Sequence, residues 1–158
     1  MKRFILALVL ILSLPSYAGF YEGFNAYNKG DYATALSEFR PLAEQGLPAA
    51  QYNLGVMYDK GQGVAQNYAE AVKWYRKAAE QGHAKAQSNL GVMYGKGQGV
   101  PQDHVFAHMW FNLSAAQGGE DARKNRDIAA ELMTPEQIAQ AQKLARDWKP
   151  CVLDRQCP

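Results

Sequence analysis

The sequence predicts an all-α chain, an α-solenoid of antiparallel helix pairs closed by a C-terminal capping helix pair. Two observations carry this. Residues 51–82 and 87–118 match at 18 of 32 aligned positions with a constant offset of 36. A period of that size signals stacked supersecondary units that share one core. Within each copy, apolar residues recur at helical spacing in two stretches separated by a glycine loop.

The chain of 158 residues opens on Lys2 and Arg3, then an apolar run from Phe4 to Leu14, then Pro15 and Ser16-Tyr17-Ala18. These are the three parts of a secretory signal peptide, and residues 1–18 are expected to be removed after Ala18. The apolar run is 11 residues, short of the roughly 20 that cross a bilayer, so no stable membrane insertion is expected after cleavage. No cysteine follows the cut, which disfavours a lipoprotein. Removal leaves 140 residues with 15 basic and 15 acidic side chains. That is one domain with room for a core. It is formally neutral and lacks the clustered positive face that nucleic-acid binding needs. The expected location is the periplasm or the medium.

The repeat domain spans residues 19–149. A first, shorter repeat (about 20–46) begins with a helix over Phe20–Lys29, and Asp31 caps a second helix carrying Ala35, Phe39 and Leu42. The second repeat (48–82) has Pro48 at a first helical position, a stripe of Ala50, Leu54, Met57 and Tyr58, and a stop at Gly61-Gln62-Gly63. Asn67, with Glu70 three residues on, opens the next helix as a capping box, and Ala71, Trp74, Tyr75 and Ala78 form its buried stripe. The third repeat (84–118) keeps Ala86, Leu90, Met93 and Tyr94, then the cap Asp103, then Ala107, Trp110, Phe111 and Ser114. Gly55 and Gly91 recur inside helices, where glycine costs about 1 kcal/mol, so close helix approach is expected there. Val64 and Val100 are expected to plug the loops onto the core.

Residues 119–149 read as a cap. A helix over Glu120–Leu132 starts with acidic residues that suit its dipole, but Arg126 stands where Leu54 and Leu90 stood. Thr134-Pro135-Glu136-Gln137 opens a last helix with Ile138, Ala141, Leu144, Ala145 and Trp148 on one face. Residues 150–158 form a tail with Cys151 and Cys157. In an exported chain a disulfide is favoured, with a free thiol pair or metal ligands as the alternatives.

These residues resemble the Sel-one-like repeat family, a branch of the tetratricopeptide-like α-solenoids. The pattern is Ala50, Leu54, Gly55, Tyr58, Gly61, Gly63, Val64, Asn67, Ala71, Trp74, Tyr75, Ala78, Ala79 and Gly82. It returns 36 residues later from Ala86 to Gly118. The resemblance implies an adaptor or scaffold for protein complexes, with no single partner. One branch carries paired cysteines in every repeat and has been linked to β-lactam binding or hydrolysis. The only cysteine pair here lies beyond the repeats, so that activity does not carry over.

Candidate chemistry is sparse. His104 and His108 are four apart, a ligand spacing, but no third ligand completes a metal site, and packing with polar tips is favoured. Gly95-Lys96-Gly97-Gln98-Gly99 lacks the preceding strand of a phosphate loop. No Gly-x-Ser-x-Gly elbow or Ser-x-x-Lys set is present, and His83 near Glu80 reads as a surface turn. No catalytic residue, metal or cofactor is assigned. The resemblance implies that the first helix of each pair lines a concave face. There Tyr52, Val56 and Asp59, and in the next repeat Ser88 and Val92, lie opposite the buried stripe, flanked by Asn53 and Asn89. These are the candidate binding residues. The expected function is a non-catalytic, monomeric binder of a protein or peptide. The alternatives are an envelope enzyme with β-lactam or cell-wall substrates and a passive envelope or stress protein.

Overall fold

A computed structural model describes residues 15–151. They form eight helices: α1 (Pro15–Asn28), α2 (Tyr32–Glu44), α3 (Pro48–Lys60), α4 (Tyr68–Glu80), α5 (Ala84–Lys96), α6 (His104–Ala116), α7 (Glu120–Glu131) and α8 (Pro135–Asp147). No strand occurs among the described residues. Met1 to Leu14 and Cys157 lie outside them, and so do most of the leader and one member of the cysteine pair. α1 starts earlier than Phe20, with Pro15 leading it, and it runs through the Ala18–Gly19 bond.

The expected starts are made by side-chain caps. Asp31, Asn67 and Asp103 each accept a hydrogen bond from the backbone N–H three residues on, and Thr134 with Gln137 forms a full capping box. α5 is capped by His83, whose Nδ1 accepts from the Ala86 N–H at 3.2 Å. α3 and α5 end on Gly61 and Gly97 in the left-handed region, where glycine carries no steric penalty. Gly63 (φ +71°) also lies so near the Tyr32 carbonyl that a Cβ would sit 2.8 Å from that oxygen. The loop is thereby pressed onto the preceding repeat, and Val64 joins the core cluster with Phe39 and Leu54.

Packing follows the repeat. α1–α2, α3–α4 and α5–α6 are paired, and each pair stacks on the next through α2–α3 and α4–α5. Within each pair a helical glycine receives an aromatic ring from the partner helix. A Cβ on Gly23 would lie 2.9 Å from the Phe39 ring, one on Gly55 2.6 Å from Tyr75, and one on Gly91 2.7 Å from Phe111. Between pairs, buried glutamines satisfy helix ends. Gln51 Nε2 donates to the Ala43 carbonyl, and Gln81 Nε2 donates to Gln51 Oε1 at 2.8 Å. Thirty-six residues later Gln87 donates to the Ala79 carbonyl, and Gln117 donates to Gln87. The periodic apolar reading gave these glutamines no part in the core, yet Gln51 and Gln87 are buried.

The cap breaks the pattern. α7 keeps the register of a first helix, with Ala122 and Ala129 buried. However, the position of Gly55 and Gly91 is now Asp127. A side chain there excludes the ring-on-glycine contact. α8 also lacks the ring, Asp147 standing 36 residues after Phe111; it docks on α6 instead of pairing closely with α7, and its Trp148 meets Trp110 edge-on at 6.3 Å. The two capping helices are therefore both seated on α6, and a cleft opens between them. After Trp148 the chain turns back across the repeats, and the Cys151 N–H donates to the Glu80 carbonyl at 2.7 Å.

Two predictions follow from these contacts. Gly91→Ala forces Phe111 aside and is expected to destabilise by about 1–3 kcal/mol. Gly95→Ala, whose Cβ meets nothing closer than 3.7 Å, is expected to stabilise by up to about 1 kcal/mol. Urea unfolding of the two variants checks both. The second prediction concerns His83, whose pKa is held below its usual value by burial and by Lys85. A histidine kept neutral contributes stability that is complete above its unfolded pKa of about 6.5. That contribution is lost as pH falls from there through the depressed folded value. His108 is shifted in the same direction, chiefly by burial. The unfolding midpoint should therefore drop as pH falls below about 6.5. His83→Asn, which keeps a capping acceptor, should weaken that dependence.

Candidate functional site

The first helices α1, α3, α5 and α7 line a groove made of three adjoining cavities. The central one is about 620 Å³ and lies between α3 and α5, over α4. Tyr52, Val56, Asp59, Asn89 and Val92 all line it, so five of the seven expected residues come together. Asn53 lines the neighbouring cavity instead, and its amide donates to the Ala49 carbonyl at 3.0 Å. Ser88 lines none of the three. Val56 does not stand in solvent as expected. It is 8% exposed and packs with Val72 and Tyr75, because the floor of the groove is itself the top of the core.

The polar centre of the groove depends on Tyr75, a residue the apolar pattern assigns to the buried stripe. Its hydroxyl donates to Asp59 Oδ2 at 3.1 Å and is also hydrogen-bonded by the Asn89 side chain. Burial, followed by the Asp59 charge, pushes the Tyr75 pKa far above its usual value, so the hydroxyl stays a donor. Asp59 and Asn89, on successive first helices, are thus held in fixed orientations beside open space. The signal for this trio lies in the copies. Where Tyr75 and Asp59 occur together in one repeat, the next has Phe111 and Gly95. A buried tyrosine hydroxyl needs a partner, and a phenylalanine does not.

The flanking cavities differ in character. Toward the N-terminus, about 290 Å³ is lined by Phe20, Phe24, Tyr52 and His83, with Tyr52 stacked on His83 at a centroid distance of 4.9 Å. Toward the C-terminus, about 340 Å³ is lined by Val92, His104, Phe111, Ile128 and Leu132. Phe24, Ile128 and Leu132 are exposed large apolar side chains that the repeat pattern alone did not flag. Tyr52 links the first cavity to the second, and Val92 with Lys96 links the second to the third. The three cavities therefore lie side by side along the first helices, aromatic at one end, polar in the middle and largely apolar at the other.

His104 and His108 face different surroundings. His104 lines the aliphatic cavity, while His108 is buried beside Arg126 in the cleft of the cap. Among the described residues no group of three or more His, Cys, Asp or Glu side chains could hold a metal ion. No described helix is long and apolar enough to cross a membrane.

Comparison with known proteins agrees with this architecture. The model of the Sel1 repeat matches residues 48–83 and 84–119. Among solved structures, a protective antigen of uropathogenic Escherichia coli strains displaying an SLR fold superposes with a TM-score of 0.80. It is 34% identical over 84% of this chain and 29% of its own length. A Sel1 repeat protein from Oxalobacter formigenes superposes with a TM-score of 0.64. It is 39% identical over 71% of this chain and 87% of its own length. The chain thus spans less than a third of the first relative and most of the second. No curated protein matches it. With two matched repeats and a 39% identical relative covered over most of its length, the chain belongs to the Sel1 repeat family.

Proposed function

We propose that this is an exported adaptor without catalysis of its own, which binds an extended segment of a partner protein along the concave groove. One observation carries the reading. Three cavities of different chemistry adjoin one another across successive first helices, sharing Tyr52, Val92 and Lys96 as borders. Such a groove fits a chain with several side chains to place and does not fit one small molecule. The oriented Asn89 amide and Asp59 carboxylate supply partners for backbone or polar groups. Phe24 and the Ile128–Leu132 pair offer apolar anchoring at the two ends. Proteins of this family mediate protein–protein interaction as scaffolds, which supports the class of partner.

Export rests on the sequence: a basic start, an apolar run and small residues before Gly19. The likeness to a protective antigen is compatible with a protein that acts outside the cytoplasm. In that compartment Cys151 and Cys157 would close a short loop, worth about 2 kcal/mol by the chain-entropy model. The adaptor is expected to be a monomer in its free state. The groove does not favour the envelope enzyme: the Tyr75 hydroxyl meets the Asp59 carboxylate, but burial and that charge push its pKa far up and disfavour the phenolate that a nucleophile would need.

Cross-linking in intact cells followed by mass spectrometry tests the proposal. A reproducible partner is expected, and it should be lost when Asn89→Ala and Val92→Glu are introduced with helicity intact. Each substitution should weaken binding of the recovered partner by about tenfold or more, as central groove contacts do. Recovery of no partner, or of one insensitive to both changes, would overturn the reading.

A further inference from the structure

Three residues that break the repeat pattern meet at one place outside the groove. His108 stands where the second repeat has Val72, and Arg126 and Asp127 stand where the third has Leu90 and Gly91. Because α8 docks on α6 instead of α7, these side chains border an open cleft of about 500 Å³, completed by Asn112, Gln142 and Arg146. The cleft shares no lining residue with the groove.

Its floor is the imidazole of His108, which is 4% exposed. The His108 Nδ1 atom is buried without a hydrogen-bond partner. Such atoms are rare in native proteins and are accounted for by an ordered water, an ion or a functional role. A polar surface on a terminal cap explains charged residues that point to solvent, but it does not explain a histidine buried on the inner side of α6. The walls are basic. Arg126 is held in plane by Asp127 Oδ1, which accepts from its Nε and Nη2 at 3.0 and 2.8 Å. Arg126 Nη1 reaches Asn112 Oδ1 at 3.4 Å. Arg146 lines the cleft from α8, forms none of the ion pairs found among the described residues, and leaves its guanidinium available. Asp127 is thus the one carboxylate lining the cleft with two guanidinium groups and the Asn112 and Gln142 amides, while Asp147 on α8 itself also feels the Arg146 charge.

We infer that this cleft binds a small oxyanion, a carboxylate or a phosphate, which Arg146 grips from α8 against the fixed Arg126 of α7, with the Gln142 amide as a further donor. A planar guanidinium fork matches the oxygen spacing of both groups. An anion between the two arginines would also join α7 to α8 where the packed contact of the repeats is missing.

The test is thermal unfolding in potassium phosphate and in potassium succinate, each against potassium chloride at equal ionic strength. His108 imidazole resonances are followed in parallel by NMR. A saturable rise in Tm with at least one of the two anions is expected, together with a shift of the His108 signals. Phosphate alone, succinate alone or both would identify the oxyanion. In Arg146→Ala the anion affinity should fall about tenfold or more, while the Tm in chloride stays unchanged because Arg146 is exposed. Arg126→Gln should behave alike where it folds, and Arg146→Ala decides the matter where it does not. Equal melting in all three salts would overturn the inference, as would an anion effect that persists in Arg146→Ala or leaves His108 unmoved.

Discussion

The ring-on-glycine contact is the constraint on which the rest of this structure depends. Phe39, Tyr75 and Phe111 each lie on a glycine of the paired helix, so closely that even a methyl group would not fit. Interiors packed at crystal-like density tolerate little change of volume at such points. The contact sets the distance within a pair. That distance in turn determines where the next pair's alanines, Ala50 and Ala86, can sink completely into the core. The glutamine bridges then join neighbouring pairs. Gln51 and Gln87 add a second donor to the Ala43 and Ala79 carbonyls at the ends of α2 and α4, which also accept from the Gly46 and Gly82 N–H groups.

The same constraint explains the cap. Asp127 replaces the glycine, Asp147 stands where Tyr75 and Phe111 supplied the ring, and the glycine loop is cut to three residues. Local helix signals survive in α8 while the tertiary partner changes. The repeat contact is thus lost from both sides, and α7 and α8 border a cleft that the repeats do not have.

Much of this was legible from the amino acids. The helices, their caps and the close approach at Gly55 and Gly91 follow from a 36-residue period, glycine placement and short-range hydrogen bonding, all of which are local. Five of the seven groove candidates also fell together, because residues on one helix face stay on that face when helices stack in register. What was not legible depends on contacts between helices. Tyr75 reads as core from its spacing, and only its partner Asp59 on another helix makes it part of the site. Val56 reads as exposed on an isolated helix, yet α4 fills the space beside it with Val72 and Tyr75. Ile128 and Leu132 gain their meaning from Phe111 across the third step. The docking of α8 on α6 was not legible from its apolar stripe, although two departures from the repeat, Asp127 in α7 and Asp147 in α8, mark the loss of the ring-on-glycine contact.

The return of the chain from Trp148 to Cys151 has a consequence for cooperativity. A linear array couples each unit only to its neighbours and can unravel one unit at a time from either end. Here the described chain, at Cys151, reaches back past the third repeat to the end of α4. Peeling away the cap therefore also releases a contact on the second repeat, and the third repeat is enclosed between a helix seam and a strap. The C-terminal half is consequently biased to melt as one block, while the first helix pair is held to its neighbour, the second repeat, by hydrogen bonds that include Tyr27–Gln62–Tyr32.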